Sequence, residues 1–184
     1  MTASLNFQLT GQRALVTAGA QGIGLAITEA LLQQGAEVHI CDVDRAALDK
    51  TKAQYPQVHI SHTDVGNEAQ VLSMFAEIQK RWGQLDILVN NAGISCISSA
   101  LDTSAELYSK VIDVNLVAPF LLAKAFGRLM LDSGSGSVVN VASVAGLQGV
   151  ADRSAYNASK HGLIGLTRTL AVEWGAKGVR VNAV

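Results

Sequence analysis

Tyr156 and Lys160 stand four residues apart in the stretch Tyr-Asn-Ala-Ser-Lys, inside a segment that reads as helix. A helix rises about 1.5 Å per residue, so the two side chains share one face, roughly 6 Å apart along the axis. A free tyrosine titrates near ~10 and is a poor base at neutral pH, whereas a fixed ammonium nearby favours a phenolate. One helical turn can therefore carry a proton-transferring tyrosine. The same spacing also describes an ordinary exposed i, i+4 pair, so the rest of the chain has to decide between the two.

A second stretch with chemical potential is the loop Thr17-Ala18-Gly19-Ala20-Gln21-Gly22-Ile23-Gly24. It follows an apolar strand and opens a helix. Small residues let the backbone approach a pyrophosphate, and the free N–H groups and positive end of the helix dipole hold the anion. The spelling is not G-x-G-x-x-G, and there is no G-x-x-x-x-G-K-[ST] run, which disfavours a mononucleotide P-loop. The alternative is a glycine-rich turn that serves strand–helix packing alone. Asp42 ends the next strand, where a carboxylate can accept hydrogen bonds from ribose hydroxyls and would repel a 2′-phosphate. No Lys or Arg lies between Thr17 and Gly24 to offset that repulsion. NAD is therefore expected over NADP. On its own, Asp42 could equally cap the following turn.

The elements that must position these residues follow from periodicity. Strands are expected over 13–17, 37–42, 57–61, 85–90, 137–142 and 179–183, several of them near-continuous in Val, Ile and Leu, as in strands covered on both faces. Helices are expected from Ile23 to the stop at Gly35, then over 45–53, 68–82, 103–131 and 154–175. Pro119 lies inside the fourth of these and should bend it or open a gap in its hydrogen bonding. Repeated strand–helix alternation with no internal repeat implies an α/β fold with a doubly wound parallel sheet. Such a sheet binds its ligand beyond the carboxyl ends of its strands, where strand order reverses. With the order 3-2-1-4-5-6, Cys41 and Cys96 fall too far apart for a disulfide.

Composition bounds the function. The 184 residues suit one domain with a core of its own, and 49 % are hydrophobic, with 17 glycines and two prolines. A net charge of −1, with both signs spread along the chain, offers nothing to a polyanion, so nucleic acid is not an expected partner. There is no signal-peptide pattern at the start and no continuous apolar run of membrane-spanning length, which leads us to expect a cytoplasmic protein that does not engage a membrane. Two cysteines make no secreted framework, and no Cys/His cluster has metal-ligand spacing. His39, His59, His62 and His161 match no motif.

Taken together, the T-x-G-x-x-G-I-G loop, Asp42, Asp64-Val65, the Asn90-Asn91-Ala92-Gly93 turn, Asn115, Ser143, Tyr156-x-x-x-Lys160 and the segment 179–183 resemble the short-chain dehydrogenase/reductase family. They stand in the family's order, including the thirteen residues from Ser143 to Tyr156, and span essentially the whole chain. The resemblance implies a Rossmann-type sheet, a nicotinamide dinucleotide and reversible hydride transfer between a secondary alcohol and its ketone. It implies that Tyr156 is the general acid/base, that Lys160 supports it and holds the nicotinamide ribose, and that Ser143 binds the substrate oxygen. Asn115 would keep a water that relays the proton. The cofactor set it implies is Gly19, Gln21, Gly22, Ile23, Gly24, Asp42, Asp64, Val65, Asn90, Ala92 and Gly93, with Tyr156 and Lys160. It also implies a homo-oligomer, a tetramer or dimer, packed through the 103–131 helix and the helix carrying Tyr156.

Two departures stand out. Ala18 occupies the place of the family's first loop glycine, where positive φ would cost an alanine roughly 1–2 kcal/mol. Family members also continue beyond the position of Val184 into a substrate-covering segment and a seventh strand, so the sequence is expected to be C-terminally incomplete. Two functions remain open at this level: an NAD-dependent alcohol dehydrogenase, or a non-catalytic relative that keeps the dinucleotide cradle. Residues 94–99 and 144–153 are expected to face the substrate and mix apolar groups with Ser95, Gln148 and Asp152, which suits a polyol or sugar alcohol.

Overall fold

Strand β1 (Arg13–Thr17) sits at the middle of the molecule because alternate side chains feed two separate cores. Leu15 packs into one, and Ala14 and Val16 into the other. The computed structural model describes residues 7–184. The chain continues as α1 (Gly22–Gln33), β2 (Glu37–Asp42), α2 (Arg45–Gln54), β3 (His59–His62), α3 (Glu68–Trp82) and β4 (Ile87–Asn90). After these come α4 (Ala105–Ile112), a π-helical turn (Asp113–Val117), α5 (Ala118–Ser133), β5 (Gly136–Asn140), a 3-10 turn (Val144–Gly146), α6 (Ser154–Gly175) and β6 (Val179–Ala183).

All six strands are parallel, in the expected order β3-β2-β1-β4-β5-β6. This is the doubly wound Rossmann-type sheet. Order reverses between β1 and β4, so a crevice opens past the carboxyl ends of those two strands. Helices α3, α5 and α6 pack on one face around Phe126, whose ring meets Phe75 edge-on at 5.2 Å. Helices α1 and α2 cover the other face over Val16, Val38 and Ile40. The expectation of double coverage holds for β1, β2 and β4. Strands β5 and β6 instead alternate buried and more exposed residues, because no described helix crosses the α1 side of them.

The 103–131 helix carries the gap in hydrogen bonding expected of Pro119, within a helical stretch that runs from Ala105 to Ser133. Pro119 cannot donate to the carbonyl of Asn115, and the chain accommodates this with the π turn at Asp113–Val117, where Ala118 N–H reaches back five residues to Asp113. The stretch Ala105–Ser133 is long and apolar enough to cross a membrane. That apolarity is spent on the core, since Val111, Ala118, Leu122, Ala123, Phe126 and Met130 are all buried there.

A polar cluster off the cofactor side escaped the sequence reading. His39 on β2 is fully buried, and its Nε2 lies 2.7 Å from Ser61 Oγ, which donates in turn to Glu77. His59 stacks beside His39, and Trp82 meets both rings edge-on. Burial pushes the His39 pKa down to about 4, against the pull of Glu77. An unfolded histidine binds its proton near ~6.5. The folded state therefore keeps its stability above that pH and loses it as pH falls from about 6.5 toward 4, by at most about 3 kcal/mol. His39→Phe should flatten the pH dependence of urea-unfolding free energy across that window; an unchanged slope would show that other groups set it.

Candidate active site

The loop from β1 into α1 is shaped by close backbone contacts. A Cβ on Gly19 would lie 2.7 Å from the side chain of Ile40, and one on Gly24 would lie 1.9 Å from the carbonyl oxygen of Ala18. Gly22 takes a φ of +53°. Helix α1 has no side-chain N-cap bond and no acid in its first turn, so its leading N–H groups are left for an anion. Ile23 stands exposed beside them.

Ala18 does adopt positive φ, at +48°. Asn91 holds the Ala18 conformation from outside, its Nδ2 donating to the carbonyls of Thr17 at 3.0 Å and Ala18 at 3.2 Å. Thr17 Oγ1 answers by accepting from Asn91 N and Ala92 N, each at 2.9 Å. Thr17 and Asn91 thus lock the first loop to the turn after β4, a role neither residue advertises in sequence. Ala18→Gly should relieve part of the strain, raising stability by up to about 1 kcal/mol in urea unfolding once the looser unfolded chain is counted. A loss of stability would show the alanine to be favourable there.

Beyond this loop lies a cavity of about 520 Å³. Of the cofactor set named from the sequence, Asp42, Asp64, Val65, Ala92 and Gly93 line it, together with Ala18. Asp42 is nearly buried and serves two ends at once: Oδ2 accepts from Ala20 N at 3.3 Å, and Oδ1 accepts from Asp44 N at 3.1 Å. Asp64 Oδ1 is similarly braced by Gly66 N. Gln21 Nε2 donates to Asp44 at 2.9 Å and straps the loop to the start of α2. The far wall was not anticipated. Glu106, Ser109, Lys110, Asp113 and Val114 form it, spaced i, i+3, i+4, i+7 and i+8 along one helical face. That period is visible in the sequence, but a polar stripe ordinarily faces open solvent.

Asn90 sits elsewhere. It is buried between β4 and β5, with Nδ2 donating to Asn140 Oδ1 at 2.8 Å, and Asn140 donating on to Thr167 of α6 at 2.9 Å. These side chains join β4, β5 and α6 behind the crevice, and Asn90 does not line the cavity.

Helix α6 brings the remaining residues to the same edge of the sheet. Lys160 is buried, its Nζ donates to Val141 O at 2.7 Å, and it lies 5.6 Å from the centre of the Tyr156 ring. Burial lowers the Lys160 pKa to about 8, which still leaves the group mostly protonated at neutral pH. Two N–H groups of the ammonium remain for other partners. Ser143, three residues past β5, accepts from Ala145 N at 3.1 Å and starts the 3-10 turn. Gly93 closes the gap to the cavity: a Cβ there would lie 3.7 Å from Lys160 Nζ.

Asn115 is the largest departure from its local appearance. It belongs to the π turn, is fully buried, and exchanges hydrogen bonds with both backbone groups of Ile94, at 2.8 and 2.9 Å. Its Nδ2 also reaches Ser159 Oγ at 3.0 Å. The side-chain amide is thus committed to pinning the post-β4 loop against α6.

Comparison with known proteins supplies the family. The short chain dehydrogenase model matches residues 12–184. A short chain dehydrogenase/reductase, dpchG, from Colletotrichum higginsianum is 40 % identical over 96 % of this chain and 68 % of its own length. D-threitol dehydrogenase from Mycolicibacterium smegmatis is 35 % identical over 100 % of this chain and 72 % of its own. Among solved structures, 4-hydroxyisoleucine dehydrogenase complexed with NADH superposes with a TM-score of 0.86 at 34 % identity, covering 94 % of this chain and 74 % of that one. The chain thus spans about seven-tenths of the length of these proteins. With the glycine loop, the crevice at the strand-order reversal and the Tyr156–Lys160 face in place, the match over nearly every described residue means that this chain belongs to the short chain dehydrogenase family.

Proposed function

We propose that the protein is an NAD-dependent oxidoreductase that interconverts a small secondary alcohol, such as a polyol or sugar alcohol, and its ketone. The observation that carries this reading is the placement of Lys160 Nζ, buried, anchored on Val141 O and 5.6 Å from the Tyr156 ring, directly beside Gly93, which also lines the cavity that Asp42 and Asp64 share. The chain fits the cofactor: Gly19 and Gly24 let the loop pack closely on Ile40 and on the Ala18 carbonyl, the first N–H groups of α1 are left uncapped for a pyrophosphate, and Asp42 lines the cavity where a ribose would lie. When bound, the nicotinamide supplies the hydride acceptor or donor.

The chain's own residues handle the proton. Ser143 Oγ holds the substrate oxygen, Tyr156 Oη takes the alcohol proton, and the Lys160 ammonium attracts the negative charge that develops on that oxygen. Asn115 keeps Ile94 and Gly93 in register with Lys160, and its backbone carbonyl, to which Pro119 offers no donor, suits the water of a proton relay. NAD is favoured because the cavity carries four carboxylates, Asp42, Asp64, Glu106 and Asp113, against one ammonium, Lys110. The D-threitol and NADH-bound relatives support the polyol and NAD readings. Exposed Tyr108, Val117 and Phe120 along α4 to α5 suit association with a second copy. A panel of polyols and secondary alcohols with NAD and NADP, run on the complete gene product, tests the assignment. Reduction of NADP at the higher kcat/KM would overturn the cofactor choice, and silence on every alcohol would overturn the reaction.

A further inference from the structure

The spacing Tyr156-x-x-x-Lys160 gives no role to the residues between the pair, and one of them, Ser159, is fully buried. A serine inside a helix adds little to its stability, because the hydroxyl competes for backbone carbonyls. Ser159 does so here: its Oγ donates to Tyr156 O at 2.7 Å, three residues back. By the helix pattern the same carbonyl accepts from Lys160 N–H. The Ser159 hydroxyl thus holds the backbone that joins the tyrosine to the lysine.

Asn115 fixes where that hydroxyl points. Ile94 N–H can only donate, so the Asn115 amide must turn its Oδ1 toward it, at 2.8 Å. The two Nδ2 protons are then left for Ile94 O at 2.9 Å and Ser159 Oγ at 3.0 Å. Because Ser159 accepts from this amide, its own single proton goes to Tyr156 O. The bonds run in one direction, from the amide through the hydroxyl to the carbonyl, and both side chains are fully buried. The far end of this chain is the turn after β4: a Cβ on Gly93 would lie 3.3 Å from Asn115 Oδ1 and 3.7 Å from Lys160 Nζ. Gly162, one turn past Ser159, lets α6 come so close to the π turn that a Cβ there would lie 2.6 Å from Leu116. Ser159 therefore sits at a tight crossing of α6 with the π turn.

We infer that Ser159 is a positioning residue for proton and hydride transfer: through Asn115, its hydroxyl sets the helical turn carrying Tyr156 and Lys160 against the Gly93–Ile94 turn. This rests on the hydride-transfer reading above and adds to it a residue that touches neither substrate nor cofactor. A second hydroxyl on α6 has the same bonding in a different place. Thr167 Oγ1 accepts from Asn140 Nδ2 at 2.9 Å and donates to Leu163 O at 2.7 Å. It lies about two turns beyond Ser159, so its removal disturbs the helix without touching the Tyr156 turn.

The test compares Ser159→Ala, Ser159→Thr and Thr167→Val with the wild type, each as the complete gene product, using NAD with D-threitol and 2-butanol as probe alcohols. In Ser159→Ala the single-turnover rate of NADH formation should fall about 10- to 100-fold, the scale of a reacting group displaced by roughly 1 Å, while KM and NADH affinity stay within about threefold. Ser159→Thr, whose hydroxyl reaches back to helix carbonyls in the same way, should recover most of that rate. Thr167→Val should show a similar drop in urea midpoint and keep the wild-type rate. A wild-type rate in Ser159→Ala, an equal loss in Thr167→Val, or no recovery in Ser159→Thr overturns the proposal. Should Ser159→Ala fold poorly, Ser159→Cys, which keeps the volume and offers only a weak donor, takes its place with the same outcomes. NMR of the protein labelled at tyrosine Cζ separates this from the reaction itself, since the chain has three tyrosines and Tyr156→Phe assigns the resonance. The Tyr156 signal should move in Ser159→Ala and stay in Thr167→Val. That shift, with no turnover of either alcohol by the wild type, would uphold Ser159 and count against hydride transfer, whereas turnover with rate and signal unmoved in Ser159→Ala would do the reverse.

Discussion

Tyr156→Phe should lower NAD-linked alcohol oxidation by about 10²- to 10⁴-fold in kcat, the range a positioned general acid/base contributes. The substitution is chemically narrow. It removes Oη and keeps the ring, so the face that Lys160 Nζ overlies at 5.6 Å is preserved and the packing of α6 is unchanged. The hydrogen bond from Ser159 Oγ to Tyr156 O involves only backbone at this position and also survives. Affinity for NADH should stay within a few-fold of wild type, because the glycine loop and Asp42 lie on β1 and β2, away from α6. Steady-state kinetics together with an NADH fluorescence titration separate the two effects. Turnover at the wild-type rate in the phenylalanine variant would remove Tyr156 from the mechanism, and loss of NADH binding would recast it as a structural support of the cofactor.

The second large effect is expected at Gly24. A Cβ there would sit 1.9 Å from Ala18 O and 2.7 Å from Asn91 Nδ2. The first contact is with backbone, so no rotamer change relieves it; the loop itself must move. Ala18 is already strained at φ +48° and held by Asn91, and displacing its carbonyl would also break the tie to the turn after β4. Gly24→Ala should therefore cost roughly 3 kcal/mol or more of stability, the upper end for overpacking, and weaken NADH binding at least tenfold. Gly22→Ala is the matched control. No atom lies within 4 Å of its Cβ position, and the cost is that of positive φ alone, roughly 1 to 2 kcal/mol. Thermal unfolding of the two variants side by side reads the difference. Equal destabilisation would mean that conformation at these glycines, rather than close approach, governs the loop.

The fold and half of the site depend on features that are local in the chain. Apolar runs of strand length and helical periodicity set β1, β2, α3, α6 and β6 to the residue, since burial pattern and caps such as Asn67 and Gly83 act within a turn of where they are written. Spacing alone places Tyr156 and Lys160 on one face, and a small-residue loop between a strand and a helix already describes an anion cradle. What tertiary structure decided was partnership. Asn115 looks like a polar residue on a helix, and becomes a buried pin only because Ile94 and Ser159, 21 and 44 residues away in sequence, come to lie against it. The side chain-to-backbone bonds between Thr17 and Asn91, and the side-chain chain from Asn90 through Asn140 to Thr167, join residues brought together by strand order. The α4 wall of the cavity reads as an ordinary solvated stripe until β1 and β4 part and leave a crevice for it to face. His39 becomes a buried, proton-refusing group only when Trp82 and His59 pack against it. The physical reason is common to all of these: periodicity and turn chemistry are settled by neighbours along the chain, whereas the partner that satisfies a buried polar group is chosen by packing across it.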